Sequence, residues 1–441
     1  MLANFSVGRK NRFKDLMIRI KRLVFRVLLF VLLSSTGTIA QSTYSTYSIL
    51  GIGDIVDPAV PAAMGMGGLG ISNGSYWYLN NTNPALIYFN RIALFSAGVL
   101  AETKNISQRG FEPYSAGSGN LSHIAMAFPL KKNRWSFSMG LQPYSTVNYA
   151  FFYNSTPTNS PDNTLILNEG RGGFTSINLT VGGLVYKGLS LGIKFNYLFS
   201  GFEKTYTSTA IAANPSYKAV YLRRQSVSDL IIGGGLSYQL DLGDYHLGVG
   251  LIYDLNADVN GKEFIRVEQR TTATNRLIFA DTLNDNQPNS INIPANLGIG
   301  VSFGKPRKWM IGLDYKTQDW SNLDVPSSAS PDRFGRGNKF VLGGEYVVDA
   351  LDVKKYINRI TFRAGITYEE KPYWLANTQI KEFGINFGWT LPVSQFSSLD
   401  FGFVIGNRGT TDNNLVREDF FKVYFGATFN DNRWFIRPKF N

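Results

Sequence analysis

The feature that most constrains this chain is an alternation of apolar and polar residues that begins at Arg91 and continues almost to the carboxyl terminus. In residues 189–199 the odd positions are Leu, Leu, Ile, Phe, Tyr and Phe, whereas the even positions are Ser, Gly, Lys, Asn and Leu. The same pattern recurs in residues 309–316, 360–368, 399–405 and 421–429. Because successive side chains of a strand point to opposite faces, the pattern predicts β-strands with one apolar face and one polar face.

The composition of the two faces distinguishes between the β-folds that alternate in this way. A soluble β-sandwich would carry its polar face outward and would be richer there in Lys and Glu. Here the polar positions hold many small residues, the apolar faces end in Tyr, Trp or Phe, and the chain contains 44 glycines and 14% aromatic residues. Apolar residues facing lipid and small or polar residues facing a lumen are typical of an outer-membrane β-barrel.

The strand count and the connections support the same fold class. We predict fourteen antiparallel strands, at residues 91–105, 120–129, 134–153, 164–187, 189–210, 217–241, 245–270, 275–303, 308–322, 336–349, 358–371, 378–391, 397–409 and 417–429. Short turns alternate with longer loops, such as 107–119 and 323–335, which is typical of the periplasmic and external ends of a barrel. An even count returns both chain ends to the periplasm. Several middle strands exceed the roughly 9–11 residues that cross a bilayer, so we expect part of the wall to stand above the membrane.

The first forty residues are typical of an export signal. Residues 1–40 contain eight Lys and Arg residues, an apolar run from Val27 to Leu33 and small residues up to Ala40. The apolar run is far shorter than the ~20 residues that a membrane-spanning helix requires. We therefore predict a cleaved signal peptide and an outer-membrane location. Met17 would begin a signal of more ordinary length and is an alternative start to Met1.

Residues 41–90 differ from the strands that follow. Five glycines lie between Gly65 and Gly74, too many for a stable helix, and the sequence is too irregular for a strand. We predict a compact plug inside the barrel, with residues 91–429 forming the barrel and residues 430–441 a short periplasmic tail. The residues of the predicted hatch motif are Gly65, Gly67, Gly68, Gly70, Asn83, Pro84 and Ala85.

The glycines also match G-x-G-x-x-G, the pattern of a dinucleotide site. Such a site requires a strand before the motif, a helix after it and an acidic residue about twenty positions later. Asn73-Gly74 would break the helix and position 90 is Asn, so close backbone packing explains the glycines better.

Composition argues against several other functions. Much of the net charge of +12 comes from the first forty residues, because the remaining 36 basic and 31 acidic residues give only +5. A charge this small does not indicate a nucleic-acid-binding surface. There are no cysteines and two histidines, His123 and His246, so a thiolate or histidine-rich metal site has few ligands to draw on. We expect no enzymatic activity, no cofactor, no metal and no nucleic-acid partner.

Strand parity predicts which charges face the lumen. Lys or Arg on the lipid face would cost about 2–4 kcal/mol at the bilayer midplane, so an inward position is favoured. The predicted lumen charges are Lys194, Asp314, Lys316, Glu345, Arg363, Glu382, Asp400 and Lys422. Arg363 or Lys194 could bind the carboxylate of a ligand. The alternative, which the balance of signs favours, is a structural network of ion pairs.

Several stretches resemble the FadL family of outer-membrane transporters (FadL/TodX type). The glycine-rich sequence 63–70 followed by Asn83-Pro84-Ala85 resembles the FadL hatch. Weaker similarity covers residues 293–298, 314–320, 343–346 and 363–365, and residues 426–435 are similar to the ending of FadL-like proteins from Bacteroidetes-type bacteria. The resemblance implies a 14-stranded barrel that carries long-chain fatty acids or aromatic hydrocarbons, with ligand bound near the hatch.

The resemblance also implies a lateral exit into the outer leaflet, where an early strand bends inward. Pro143 lies in the third predicted strand, and proline cannot donate to a strand ladder. We predict that Pro143 marks the lateral gate, with a simple bulge as the alternative.

Two functions follow from the resemblance. The first is passive uptake of hydrophobic small molecules, with membrane lipids and the ligand as partners. The second is a non-transporting accessory subunit of a secretion or assembly complex, as in PorV-like proteins, whose hatch begins similarly. An apolar, continuous cavity would favour uptake. A lumen filled by ion pairs, together with an exposed patch for a partner protein, would favour the accessory role.

Overall fold

A computed structural model describes residues 44–156, 163–211, 216–323, 331–393 and 397–431 of the protein. Residues 1–40 and 432–441 lie outside the described residues, so the signal peptide and most of the periplasmic tail stay predictions. Among the described residues, no helix is long and apolar enough to cross a bilayer.

The described strands form one closed antiparallel sheet of fourteen, so the predicted fold class is confirmed. They are β1 (Ala93–Gln108), β2 (Tyr114–Lys131), β3 (Trp135–Pro143 and Ser145–Ser155), β4 (Thr164–Tyr186), β5 (Leu189–Ala210), β6 (Tyr217–Leu242), β7 (Tyr245–Asp254 and Ala257–Thr271), β8 (Leu277–Ile293 and Asn296–Lys305), β9 (Trp309–Asp319), β10 (Arg336–Val347), β11 (Thr361–Leu375), β12 (Thr378–Pro392), β13 (Ser397–Gly409) and β14 (Val416–Asp431). The barrel closes where β14 pairs with β1, from Ala93 opposite Asp431 to Gln108 opposite Val416.

Short helical turns complete the described elements. The only α-helical turn among the described residues is α1 (Pro61–Met64). Four 3-10 turns span Thr46–Ile49, Pro84–Phe89, Tyr356–Arg359 and Asp412–Asn414. Two-residue strands lie at Asp54–Ile55, paired with β3, and at Arg333–Phe334, paired with β11.

The alternation seen in the sequence separates a lipid face from a lumen face. On β5 the side chains of Leu191, Ile193 and Tyr197 are exposed on the outer face, whereas Ser190 is fully buried on the inner face. From Gly201 onward the outer positions of β5 are Gly, Glu and Thr, so the apolar belt ends there and the strand continues beyond it. The tall wall formed by β4–β8 therefore stands above the belt.

Aromatic side chains border the belt at the end that carries the short turns. The rings of Tyr245 and Phe303 stack with centroids 5.4 Å apart, and Trp309 lies 5.8 Å from Phe303. Aromatic girdles of this kind lie at the membrane–water interfaces of outer-membrane barrels. We assign this end to the periplasm because outer-membrane barrels carry short turns there and longer loops on the external side.

The predicted long loop over residues 107–119 is wrong. β1 continues to Gln108 and β2 begins at Tyr114, with Ile106 opposite Tyr114 and Glu102 opposite Ser118. The sequence of this part of β2 is small and polar on both faces, so it lacks the alternation by which strands are recognised. Backbone pairing with β1 makes it a strand regardless of its side chains.

Candidate functional site in the barrel lumen

Residues 44–90 contact strands on different sides of the barrel and therefore lie within its lumen. The backbone amides of Gly70 and Ile71 donate to Asp314 Oδ2 of β9, at 2.8 and 2.9 Å. On other strands, the amide of Thr46 donates to a Glu418 carboxylate oxygen of β14 at 2.7 Å, and Asn83 Nδ2 donates to the carbonyl of Leu236 on β6 at 3.3 Å. The boundaries of the plug at residues 41–90, and its role in closing the lumen, stay predictions.

The predicted hatch motif lies at the centre of these contacts. All seven of its residues are buried, namely Gly65, Gly67, Gly68, Gly70, Asn83, Pro84 and Ala85. Gly67 and Gly68 have φ angles of +77° and +83°, in the left-handed region that other residues rarely adopt. Asn83 accepts a hydrogen bond from the amide of Ala85 at 2.9 Å and so caps the 3-10 turn Pro84–Phe89, which leads toward β1.

Glycines on the inner faces of the strands receive the backbone of the N-terminal segment. A Cβ atom at Gly250 of β7 would collide with the carbonyl oxygen of Ile71. Equivalent collisions would occur between Gly182 of β4 and the carbonyl of Pro84, and between Gly343 of β10 and that of Met66. The absence of side chains on the wall therefore permits the segment to approach at backbone distance.

One cluster of ion pairs holds the segment through Asp57. Its carboxylate accepts a hydrogen bond from Lys339 Nζ at 2.6 Å, lies 3.6 Å from Lys316 Nζ, and accepts the amide of Ala59 at 3.0 Å. Burial raises the pKa of Asp57, but the charges of Lys316 and Lys339 lower it more, so the net pKa lies below the usual range. The carboxylate stays ionised at neutral pH.

A second cluster surrounds Glu382 of β12. Arg408 of β13 bridges Glu382, at 2.6 Å, and Asp54 of the N-terminal segment, at 2.8 Å. Lys371 lies 3.1 Å from Glu382. Burial raises the pKa of Asp54, but the charge of Arg408 outweighs it and lowers the pKa to about 2.

The cluster extends across β14 and β1 through further contacts. Glu382 lies 4.0 Å from Lys422, which is 3.6 Å from Glu102. Lys104 is placed 3.5 Å from Glu102 and 3.3 Å from Glu418, which also accepts hydrogen bonds from Thr46. The network thus runs from strand to strand and ends on the N-terminal segment.

Arg363, the predicted carboxylate ligand, already has partners. Its Nε donates to Glu345 at 3.1 Å, its Nη1 donates to Thr390 Oγ1, and its guanidinium lies 5.3 Å from the ring centroid of Tyr78. Thr390 in turn donates to Asp400. Lys194, the other candidate, pairs with Asp254 at 3.3 Å.

All eight predicted lumen charges thus contact other residues of the wall or of the N-terminal segment. The prediction missed further members of the same network, which are Glu102, Lys104, Lys339, Lys371, Arg408 and Glu418. Parity would have found some of them, because Glu418 and Lys422 share one face of β14 and Asp400 and Arg408 share one face of β13. No pattern in the sequence indicates that Asp54 and Asp57 belong to the network, because the N-terminal segment has no strand periodicity.

A cavity of about 300 Å³ lies between the N-terminal segment and the wall. Seven acidic and seven basic residues line it, namely Asp54, Asp57, Glu102, Asp254, Glu369, Glu370, Glu382, Lys104, Lys194, Lys316, Lys339, Lys371, Arg408 and Lys422. Most of the known ligand pockets of proteins are lined predominantly by apolar side chains. Apolar residues such as Met64, Ile231 and Trp320 line this cavity as well, but it also contains many charges, which balance to neutral as a whole.

Pro143 lies where the wall opens. β2 pairs with β3 only up to Leu141, and beyond that point β3 pairs with β4 on one side and with Asp54–Ile55 on the other. Among the described residues, β1 is the only strand partner of β2 residues 114–123. The break adjoins the cavity, because Pro143 and Tyr144 line it. The opening has the position predicted for a lateral gate, and the function of Pro143 as a gate stays a prediction.

The two histidines are engaged in local hydrogen bonds. His123 Nε2 lies 2.8 Å from Ser96 Oγ inside the wall. His246 Nδ1 and Nε2 lie 2.7 Å from Asp241 and 2.7 Å from Gln239. Within the described ranges, no group of three or more histidine and carboxylate side chains is arranged to hold a metal ion.

Comparisons with solved structures show the same architecture. The toluene transporter TodX of P. putida matches with a TM-score of 0.55 and 15% identity over 85% of this chain and 99% of that one. The monoaromatic hydrocarbon channel CymD matches with a TM-score of 0.53 and 16% identity, over 86% of this chain and 99% of that one. A FadL homologue of Pseudomonas aeruginosa matches with a TM-score of 0.53 and 14% identity, over 86% and 99%. The predicted resemblance to FadL-type barrels is confirmed.

Sequence comparison supplies the family. No curated protein matches the chain significantly. The sequence model of the BamG family matches residues 17–441, which is nearly the whole chain. The protein therefore belongs to the BamG family, with the fold of an outer-membrane FadL/TodX-type barrel.

Proposed function

We propose that this barrel is a non-transporting accessory subunit of an outer-membrane protein complex, with its lumen closed by the N-terminal segment. The observation that carries the proposal is the charged lining of the cavity. Seven carboxylates and seven cations face a space of about 300 Å³, and those of the two clusters pair with one another at 2.6–4.0 Å. An apolar ligand in this space would lie against charged groups without offering hydrogen bonds to them.

The N-terminal segment supports the same proposal. Asp54 and Asp57 tie it to β13, β10 and β9 by ion pairs, and Asp314 binds two of its amides. Removing the segment from the lumen would break these ion pairs and hydrogen bonds together. A segment held in this way closes the barrel in its resting state.

The test compares transport with complex formation. The purified protein is reconstituted in lipid vesicles, and uptake of toluene and of a long-chain fatty acid is measured beside the P. putida transporter TodX. We expect uptake at the level of empty vesicles. A variant that lacks residues 41–85 serves as the control for an open lumen, and we expect it to leak small solutes. Gentle extraction of the intact protein from its native membrane should yield a stoichiometric complex. Uptake at the TodX level, or extraction as a lone barrel, would refute the proposal.

The alternative function, passive uptake of hydrophobic molecules with lateral exit, is favoured by one observation. The cavity adjoins the break between β2 and β3 at Pro143, which is where a lateral exit would lie. If uptake is found, Arg363→Ala and Lys194→Ala test whether either cation holds a carboxylate headgroup. Loss of fatty-acid uptake with retention of toluene uptake would assign that role, and retention of both would exclude it.

A further inference from the structure

One periplasmic connection differs from the others at its end of the barrel. The turns β2–β3, β4–β5, β6–β7 and β8–β9 contain two or three residues each. The connection from β10 to β11 runs from residue 348 to residue 360 and includes the 3-10 turn Tyr356–Arg359. We refer to residues 348–360 as the β10–β11 turn.

The β10–β11 turn exposes most of its large apolar side chains. Val353 is 92% exposed, Leu351 is 68% exposed and Ile357 is 64% exposed. Val348 and Tyr356 are also exposed. The turn follows Tyr346 of β10, which lies opposite Trp309 of the aromatic border, so it starts on the periplasmic side of that border. An apolar cluster left in water in this way is typical of an interaction site.

The turn is nevertheless an ordered structure. The amide of Asp349 donates to the carbonyl of Asn358 at 2.8 Å, which closes the base of the turn. Asp352 accepts the amides of Lys354 and Lys355 at 2.7 and 2.9 Å, and its other oxygen accepts Asn358 Nδ2 at 2.6 Å. These hydrogen bonds fix the backbone of the turn, whereas its large apolar side chains point into the surroundings.

The charged residues in and around the β10–β11 turn indicate which kind of partner would bind there. Lys354, Lys355 and Arg359 belong to the turn, and the neighbouring β8–β9 turn adds Arg307 and Lys308. The β10–β11 turn also holds two carboxylates, Asp349 and Asp352, so the two turns together carry five basic and two acidic residues. The other short turns are mixed, with Lys132, Arg134 and Lys187 on two of them and Asp244 on a third. An acidic surface with an apolar centre is complementary to this face.

Other occupants fit less well. A second copy of the chain would present the same basic face and would be repelled. Residues 432–441 of this chain contain Arg433, Arg437 and Lys439 and no acidic residue, so their charge is not complementary either. Insertion into the inner leaflet would carry the exposed carboxylate of Asp349 into the lipid interface beside Leu351. A protein interface accommodates such charges in its polar rim.

We propose that the β10–β11 turn is the docking site for an acidic periplasmic protein, with Leu351, Val353 and Ile357 as the apolar anchors. This inference rests on the proposed accessory function and deepens it, because it names the surface and the chemistry of the partner. The basic residues around the anchors steer the partner, and the anchors supply the buried contact.

The test is site-specific photocrosslinking in intact cells. A photoreactive residue is placed at Val353, at Ile357 and, as a control on another periplasmic turn, at Lys187. We expect one acidic periplasmic protein to crosslink at positions 353 and 357 and not at 187. Crosslinks to phospholipid, to a second copy of the barrel or to nothing would overturn the docking site.

The crosslinked protein is then purified and its affinity for the barrel measured. We expect Val353→Asp to weaken binding at least tenfold and Lys354→Glu with Lys355→Glu to weaken it and reduce its dependence on salt. Val393→Asp is the matched control, because Val393 is also an exposed valine at the periplasmic end, at 58%. Equal affinity of the Val353→Asp and Val393→Asp variants would overturn the docking site. If Val353→Asp leaves a native complex intact, the docking site fails while the accessory function stands; TodX-like uptake would remove the accessory function itself.

Discussion

The outer and inner faces of the same strands place different requirements on the residues they carry. On the outer face, residues such as Leu251 and Ile299 need only be apolar, because lipid surrounds them and no particular neighbour selects their shape. On the inner face, Gly250 and Arg408 contact specific residues of the N-terminal segment, among them Ile71 and Asp54. The outer face is therefore adapted to lipid in general, whereas the inner face is adapted to the N-terminal segment of this particular protein. Substitutions on the two faces should therefore differ in effect.

The largest effect is expected from Arg408→Ala. The change leaves Glu382 and Asp54 buried without their shared partner, which costs about 3–5 kcal/mol of unfolding free energy. The control is Arg417→Ala, which breaks the exposed pair with Asp419 and should cost about 1 kcal/mol or less. Urea unfolding of the two variants in lipid vesicles measures the contrast. Equal losses would mean that the inner network contributes no more than a surface pair.

A smaller effect is expected from Gly250→Val. The new side chain would collide with the carbonyl of Ile71, so the N-terminal segment must shift or the barrel must strain, at about 1–3 kcal/mol. Protease susceptibility of the segment, measured beside the unfolding free energy, separates these outcomes. Gly243→Val is the control on a periplasmic turn: no atom lies within 4 Å of a Cβ there, but its φ of +66° adds local backbone strain. Unaltered protease resistance and stability of Gly250→Val would contradict the close approach described above.

Acid should loosen the N-terminal segment before it unfolds the wall. Asp54 and Asp57 have pKa values below the ordinary ~3.9 of an aspartate, with that of Asp54 at about 2. Their stabilising contribution is therefore fully present above about pH 4 and is lost as the pH falls through about 2. Hydrogen exchange of residues 44–60 as a function of pH measures the release. The Asp54→Asn variant should release the segment with a weaker pH dependence, and an unchanged profile would show that other groups control it.

The smallest effect is expected on the lipid face. Ile299→Val removes one methylene group that faces lipid, and no cavity forms because lipid fills the space. We expect a loss of about 0.8 kcal/mol or less. The same substitution at the fully buried Ile71, inside the lumen, should cost more, because it leaves a void against the glycines of the wall. Equal losses at the two positions would remove the distinction between the faces.

Much of the inner face was accessible from the sequence. Alternation located the strands and predicted an inward position for Lys194, Asp314, Arg363 and Lys422, because a charge on the lipid face is costly. Strand parity does not determine which charged side chains pair with each other. Glu345 lies opposite Arg363 on the neighbouring strand, and Lys422 and Glu102 lie opposite each other on the strands that meet at barrel closure. These pairs depend on strand register, which the sequence leaves open.

The sequence by itself determined the fold class, because a period of two, with apolar residues on one face and small or polar residues on the other, has few solutions other than a membrane barrel. It also determined that Gly67 and Gly68 lie in a segment where backbone freedom is required. Only the tertiary structure decided that Asp54 and Asp57 bind the wall, that β3 leaves β2 after Leu141, and that residues 348–360 form an ordered turn with an exposed apolar surface. The physical reason is that periodicity is a local property of the chain, whereas charge pairing, strand edges and exposure depend on which distant residues the closed barrel brings together.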